Sequence, residues 1–497
     1  MPYPDFSEFK AYAGKNYKTV PVCTEMYSDM YTPVSVLKKL KNISPHCFIL
    51  ESSEDAMRWG RYSFLGFEPS LELSCKNGVL AIKKGQNTEV YKTSTPYDFV
   101  RKIVADNKSP EIEGLPPFTG GLVGYFSYDY IKYAEPCLNL TASDDAHFKD
   151  MDLMLFDQVI AFDNLRQKII LIVSVSTRGN LYNNYKEGEK RLSRLKEIIQ
   201  NGSFAEDTPF KLKSAFKPRF SQKEYCGMVE KAKNYIYEGD IFQVVLANRM
   251  EAEMEGSLLD VYRMLRTINP SPYMFYFSGT DIQLAGASPE TLVKLIKGVL
   301  NTYPLAGSRP RGKTEEEDKN LEKELLSDEK ELAEHNMLVD LGRNDIGKVA
   351  KLGTVALEKY MAIERYSHIM HIGSTVRGEL AEDKDFIDTI NSILPAGTLS
   401  GAPKIRACEI IDELEGCRRG IYGGAVGYIS FTGDLDTCIS IRMAYAKNGS
   451  VYVCSGAGIV ADSVPEKEYA ECINKAAATI KACEYADGGL ENDCFDR

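Results

Sequence analysis

Short apolar runs broken by turns dominate the chain up to residue 201. They include CFILES at 47–52, VLAIKK at 79–84 and a long β-rich stretch at 151–175. Runs of this length, rich in β-branched and aromatic residues and bounded by turn residues, predict strands. A charged helix is expected at 182–201. The polar segment 202–220, GSFAEDTPFKLKSAFKPRF, has no clear period and holds two prolines, so it reads as a linker between two domains, 1–201 and 221–486. A helix starts at Ser221, where Glu224 completes a capping box and Tyr225, Met228, Val229 and Ala232 follow at helical spacing. Gly239 ends it, and a buried strand is expected at 241–247. The last residues, 487–497, read as a disordered acidic tail.

The 497 residues are enough to bury roughly three quarters of the unfolded surface without a staple. Sixty basic against 71 acidic residues give a net charge of −11, which argues against nucleic-acid or anionic-membrane partners. The 12 cysteines form no C-x-x-C pair and read as small apolar residues of a reducing compartment. With no apolar run near the length of a membrane span and no leader pattern at the N-terminus, a cytoplasmic enzyme or binding protein is expected. One echo stands out: GGLVGYFSY at 120–128 and GGAVGYISF at 423–431, read as equivalent strands of two related sheets.

Several segments carry residues suited to chemistry. A helix over 328–341 places Glu331 and Glu334 on one face. A second, after DSVP with Ser463 as its cap, places Glu468, Glu471 and Lys475 on one face. Two pairs of carboxylates can make an all-oxygen Mg²⁺ site, or they are simply solvated charged faces. His368 and His371 are two of only five histidines. Either could be a base, or one a half-buried strand residue. Gly456–Ala457–Gly458 and Ala461 spell G-x-G-x-x-A, but Ile459 and Val460 continue the strand where a dinucleotide site needs a helix. Residues 307–314, GSRPRGKT, match the Walker A letters, yet Pro310 removes an amide that a phosphate cradle would use. The segment PLAGSRPRGK reads as a basic loop. GTLSGAPK at 397–404 reads as a small-residue loop opening a helix, with Thr398 able to hold a carboxylate there.

The strings PLAGSRPRG, ELAEHNMLVDLGRND, GTLSGAPK, RGIYGGAVGY, GDLDTCISIR and GAGIVADSVPEKEYAE, in this order, resemble the chorismate-utilising enzymes. The branch they resemble is that of the anthranilate synthase large subunit. Ala306 and Gln243 stand where aminodeoxychorismate synthases and isochorismate or salicylate synthases, respectively, carry a lysine. The resemblance implies an α+β fold of two domains, with mostly antiparallel sheets packed as a sandwich and helices outside. It implies a lyase that turns chorismate and ammonia into anthranilate and pyruvate, the first committed step of tryptophan biosynthesis.

It also implies roles. Mg²⁺ is held by Glu334 and Glu471, with Glu331 and Glu468 assisting. Gly307, Ser308, Thr398, Tyr422, Arg442, Lys475, Gln243 and the amides of Gly456, Ala457 and Gly458 line the substrate site. Glu290 is the acid, and His371 helps the C2 proton leave. A separate glutamine amidotransferase subunit supplies ammonia, making a hetero-oligomer. Tryptophan inhibits at Ser52, Pro272, Tyr273 and Met274, with Gly286 and Cys438 as weaker candidates. Rival readings are an aminodeoxychorismate synthase component, a non-catalytic amino-acid-binding regulatory subunit and a Walker-type nucleotidase.

Overall fold

The computed structural model describes residues 2–53, 60–206, 208–365 and 369–490. Its strands form two large sheets, one of 13 strands and one of 12. Each draws strands from both halves of the chain, so the sheet boundary does not follow the 202–220 segment. In the first sheet, strand Cys47–Glu51 pairs antiparallel with Tyr273–Ser278, Leu50 opposite Phe275. In the second, Gly121–Phe126 pairs antiparallel with Ala425–Ser430. The sheets stack face to face, with rings such as Phe48 and Phe156 meeting at 4.7 Å between them. Helices cover the outer face of the first sheet, among them Leu181–Asn201 and Pro465–Ala486. Among the described residues no helix is long and apolar enough to cross a membrane.

The echoed glycine segments are not equivalent strands of two sheets. They are neighbours in one sheet, with Gly124 directly opposite Gly427. A Cβ on Gly124 would lie 2.0 Å from the Asp152 carbonyl oxygen, and one on Gly427 2.1 Å from that of Asp436. The shared pattern therefore reflects one requirement met twice: flanking backbone too close for any side chain.

The 202–220 segment is not free of the fold. Lys211–Leu212 and Lys217–Pro218 add to the edge of strand Gln243–Glu255. The start of the expected tail is held as well. The Leu212 amide donates to Asp487 Oδ1 at 2.9 Å and the Gly488 amide to the Phe210 carbonyl at 2.9 Å. Residues 491–497 lie outside the described residues, as does His368. The helix expected at Ser221 forms over Gln222–Tyr237 with its capping box intact, and Gly239 follows with φ +85°.

Candidate functional site

Glu290 sits in the turn between strands Gln283–Ser288 and Thr291–Ile296. The turn is fixed by Ser288 Oγ donating to the Ile439 carbonyl at 2.7 Å, and by the Ile439 amide donating to the Glu290 carbonyl at 3.0 Å. Thr398, in the short turn Gly397–Leu399, donates its hydroxyl to Glu290 Oε1 at 3.1 Å. Burial pushes the Glu290 carboxyl up to about 7, against the opposing pull of this hydrogen bond and of the Lys475 charge. A carboxyl poised there can carry a proton at neutral pH and release it.

PLAGSRPRGK is not a loop. Leu305–Pro310 is a strand paired with Ile369–Glu379, with an irregular register between Ala306 and Ser308. Gly307 sits in that irregularity at φ +64°, and its carbonyl meets His371 Nδ1 at 2.9 Å. A carbonyl only accepts, so Nδ1 carries the proton and Nε2 keeps its lone pair. Burial and the nearby Arg442 charge hold the His371 pKa below the usual value, leaving the ring neutral at pH 7. Ser308 is directly opposite His371. Glycine at 307 also spares Glu331, whose Oε2 would stand 3.2 Å from an added Cβ.

Arg442 is a non-glycine residue at φ +52°, a strained conformation of the kind that gathers at functional sites. Its guanidinium donates to the Lys475 carbonyl. Burial pulls its pKa down, and among the described residues no carboxylate pairs with it. The half-buried guanidinium keeps donors beyond the one spent on Lys475 for a carboxylate ligand. Lys475 Nζ bridges the Gly456 carbonyl at 3.2 Å and Glu471 at 2.6 Å. The Tyr422 hydroxyl lies 3.1 Å from where a Gly456 Cβ would be, and Gln243 Nε2 2.5 Å from where a Gly458 Cβ would be. Both glycines thus make room for neighbouring polar groups.

The three amides of 456–458 do not act alike. In strand Gln243–Glu255 the Val245 amide turns away to the Ser400 carbonyl and that of Ala247 to Glu415. Leu246 therefore faces strand Ser450–Ile459, where its partner is Ala457. Alternation then turns the Ala457 amide into the ladder and the Gly456 and Gly458 amides to the other side. The Ala457 side chain is buried in the core.

Helix Glu329–Gly347 carries Glu331 and Glu334, and Pro465–Ala486 carries Glu468 and Glu471. Burial raises the Glu334 pKa, and the charges of Glu331 and Glu471 raise it further. Burial and Glu471 likewise raise Glu468. These carboxylates repel one another across two helices, and Lys475 offsets only part of that charge. Among the described residues no three acidic, histidine or cysteine side chains converge tightly enough for a closed metal cluster. An open set of carboxylate oxygens in mutual repulsion fits Mg²⁺, which keeps several waters and takes one or two carboxylates. Ser463 does not cap the second helix. Val464 is the N-cap, and Ser463 Oγ instead accepts from the Val460 amide at 3.1 Å.

The Walker reading fails on geometry. The Gly312 amide is spent on Asp318 Oδ1 at 2.8 Å and the Lys313 amide on Glu317 Oε2 at 2.8 Å. The helix that follows opens with Glu315, Glu316, Glu317 and Asp318, which repel phosphate.

A second cavity, of about 310 Å³, lies between the sheets, lined by Ser52, Pro272, Tyr273, Met274 and Cys438 among others. Gly286 is not in its lining. A Cβ there would lie 2.2 Å from Phe275, which does line the cavity. Residues not foreseen in this lining are Arg61, Lys294 and Asp436; Lys294 and Asp436 pair at 3.0 Å. The Tyr273 hydroxyl donates to Asp436 at 2.8 Å and meets Thr291, beside Glu290, at 3.0 Å.

Fold and sequence likeness together define a chorismate-utilising enzyme. The chain belongs to the chorismate binding enzyme family, whose model matches residues 45–481, in its anthranilate synthase component 1 branch. It is 47% identical over 493 residues to anthranilate synthase component 1 of Acetivibrio thermocellus, covering 98% of this chain and 99% of that one. Identity to the Aquifex aeolicus protein of the same name is 45% over 485 residues, covering 96% and 97%. The crystal structure of anthranilate synthase component I from Streptococcus pneumoniae matches with TM-score 0.74 at 37% identity, covering 92% of this chain and 98% of that one. The Escherichia coli isochorismate synthase MenF, at 18% identity and TM-score 0.67, shares the fold.

Proposed function

We propose that the chain converts chorismate and ammonia to anthranilate and pyruvate. In this reading a glutamine amidotransferase subunit supplies the ammonia, and tryptophan bound between the sheets inhibits. The observation that carries the proposal is a linked set of three groups: a Glu290 carboxyl pushed up to about 7 within reach of the Lys475 charge, a neutral His371 protonated on Nδ1 within reach of the Arg442 charge, and Arg442 itself, which donates to the Lys475 carbonyl and pairs with no carboxylate among the described residues.

Arg442, with Tyr422 and the amides of Gly456 and Gly458, takes the pyruvyl carboxylate, since the guanidinium fork matches both oxygens. Glu334 and Glu471 would hold Mg²⁺, with Glu331 and Glu468 assisting, and the ion would supply Lewis-acid charge for the ring carboxylate. Gly307, Ser308 and Thr398 line that end. Glu290 gives its proton to the departing C4 hydroxyl as ammonia adds at C2. His371 then accepts the C2 proton on Nε2 as pyruvate leaves and the ring becomes aromatic. Gln243, amide rather than ammonium, fills the position without activating a water.

The direct test is anthranilate fluorescence from the purified chain with chorismate, Mg²⁺ and ammonium. A signal is expected, and tryptophan should quench it. Chorismate consumed without anthranilate would overturn the elimination half and point to aminodeoxychorismate as product. Two substitutions divide the scheme. His371→Met should leave amine addition near wild-type rate and slow elimination by about 10²–10⁴-fold, the usual worth of a positioned base. Accumulated aminodeoxyisochorismate, read by chromatography, is the sign; equal loss of both steps would make His371 structural. Ser52→Phe should fill the inter-sheet cavity and abolish tryptophan inhibition while sparing turnover. Unchanged sensitivity would place the inhibitor elsewhere.

A further inference from the structure

An acid that gives up its proton must recover it before acting again. Glu290, Thr398 and Asp345 line one pocket of about 40 Å³, with Leu338, Leu341 and Ala396 as apolar walls. That volume suits a single water. Asp345 is 3% exposed. Its Oδ2 accepts from Lys404 Nζ at 2.7 Å, and Lys404 also donates to the Ile393 carbonyl at 2.7 Å. Its Oδ1 is buried and accepts no hydrogen bond; the nearest cation on that side is Lys348, at 3.5 Å. The Lys348 side chain is 42% exposed, so this end of the path reaches solvent. Lys404 stands in the first turn of helix Lys404–Glu415, the positive end, where a cation is disfavoured. The pair therefore gains nothing from the helix, and what it does is hold a carboxylate in the pocket.

We propose that a water in this pocket hydrogen-bonds both Asp345 and Glu290, and that Asp345 relays protons from the Lys348 side to recharge Glu290 after each turnover. The inference rests on Glu290 being the acid. In the first step the C4–oxygen bond breaks, its electron pair stays on oxygen, and the Glu290 proton converts that oxygen to water. The Glu290 carboxylate then takes a proton from the pocket water. That water is made whole by a proton passed along Asp345 from solvent, so no oxidant or other reactant is consumed.

The test is rapid mixing of the whole chain with chorismate, Mg²⁺ and ammonium, following chorismate loss. Asp345→Asn keeps an acceptor for Lys404 but cannot pass a proton. It should show one equivalent of chorismate consumed per site at the wild-type rate, followed by turnover at least tenfold slower. Ala396→Val, which fills the pocket and leaves the Asp345–Lys404 pair intact, should show the same burst, and it decides the matter if Asp345→Asn does not fold. A purely structural role would slow the first and later turnovers alike. That result, or unchanged kinetics in both variants, overturns the relay. Glu290→Gln should lose even the first turnover; if it keeps it, the reading of Glu290 falls and the relay with it.

Discussion

Replacing Glu290 by glutamine is expected to remove turnover while making the folded chain more stable at neutral pH. The carboxyl titrates at about 7 in the folded chain, against an ordinary value of 4.5. Below pH 4.5 both states hold the proton and the group contributes no difference. Between pH 4.5 and 7 the unfolded chain releases its proton while the folded chain keeps it, so stability falls as pH rises. Above pH 7 the deficit is complete, up to about 3 kcal/mol. Glutamine retains the oxygen that accepts from Thr398 and has no such deficit. Denaturant midpoints of the variant and the parent should therefore coincide near pH 4.5 and separate at pH 8, the variant higher. Equal stability at pH 8 would mean that the carboxyl is not held protonated by its surroundings. Turnover should fall by about 10²–10⁴-fold, the usual worth of a positioned acid. In the parent, turnover should decline above pH 7 as Glu290 loses its proton. It should also decline at acid pH, on the low side of the usual imidazole value, as His371 gains one.

Glu471→Ala carries the other large effect. It removes a carboxylate whose charge helps raise Glu334, and it leaves Lys475 without its 2.6 Å partner. Loss of a direct ligand should exceed the 10–100-fold typical of losing an outer partner, so Mg²⁺ affinity by calorimetry should drop by more than about 100-fold. Glu468→Ala, an assisting position, should cost only about tenfold. The Glu334 carboxyl should also titrate lower once the repulsion is gone. A Mg²⁺ titration unchanged in Glu471→Ala would remove the helix Pro465–Ala486 from the metal site.

What could be read in the sequence was whatever local chemistry decides. The capping box of Ser221 and Glu224 needs only residues three apart, and it stands as expected. The carboxylate faces of the two helices likewise follow from helical spacing. Ser463 shows the limit of that logic: a serine near a helix start reads as a cap, but its hydroxyl is taken by the Val460 amide, one residue before the true boundary. The segment 304–313 read as a loop because glycine and proline signal turns. What makes it a strand is its pairing with Ile369–Glu379, which no window around it contains. Which amides of 456–458 face outward is likewise set by the partner strand. Asp345 and Lys404 lay inside strings that were singled out, GRND and GAPK, but nothing local marks a charge as buried. Lys404 stands between Pro403 and Ile405, but Asp345 follows Asn344, so apolar flanks marked only one of the pair.

Interleaving of the two halves within each sheet has a consequence for how the chain is made. Strand Cys47–Glu51 cannot complete its sheet until Tyr273–Ser278 exists, and Gly121–Phe126 must wait for Ala425–Ser430. At a synthesis rate of about 5–20 residues per second, the early strands spend on the order of ten seconds or more with an open edge. Such long-range pairings also make folding slow once the chain is released. Severing the chain anywhere in 202–220 therefore does not yield two self-sufficient pieces. It yields two half-sheets, each with exposed ladders, whose best available partner is each other.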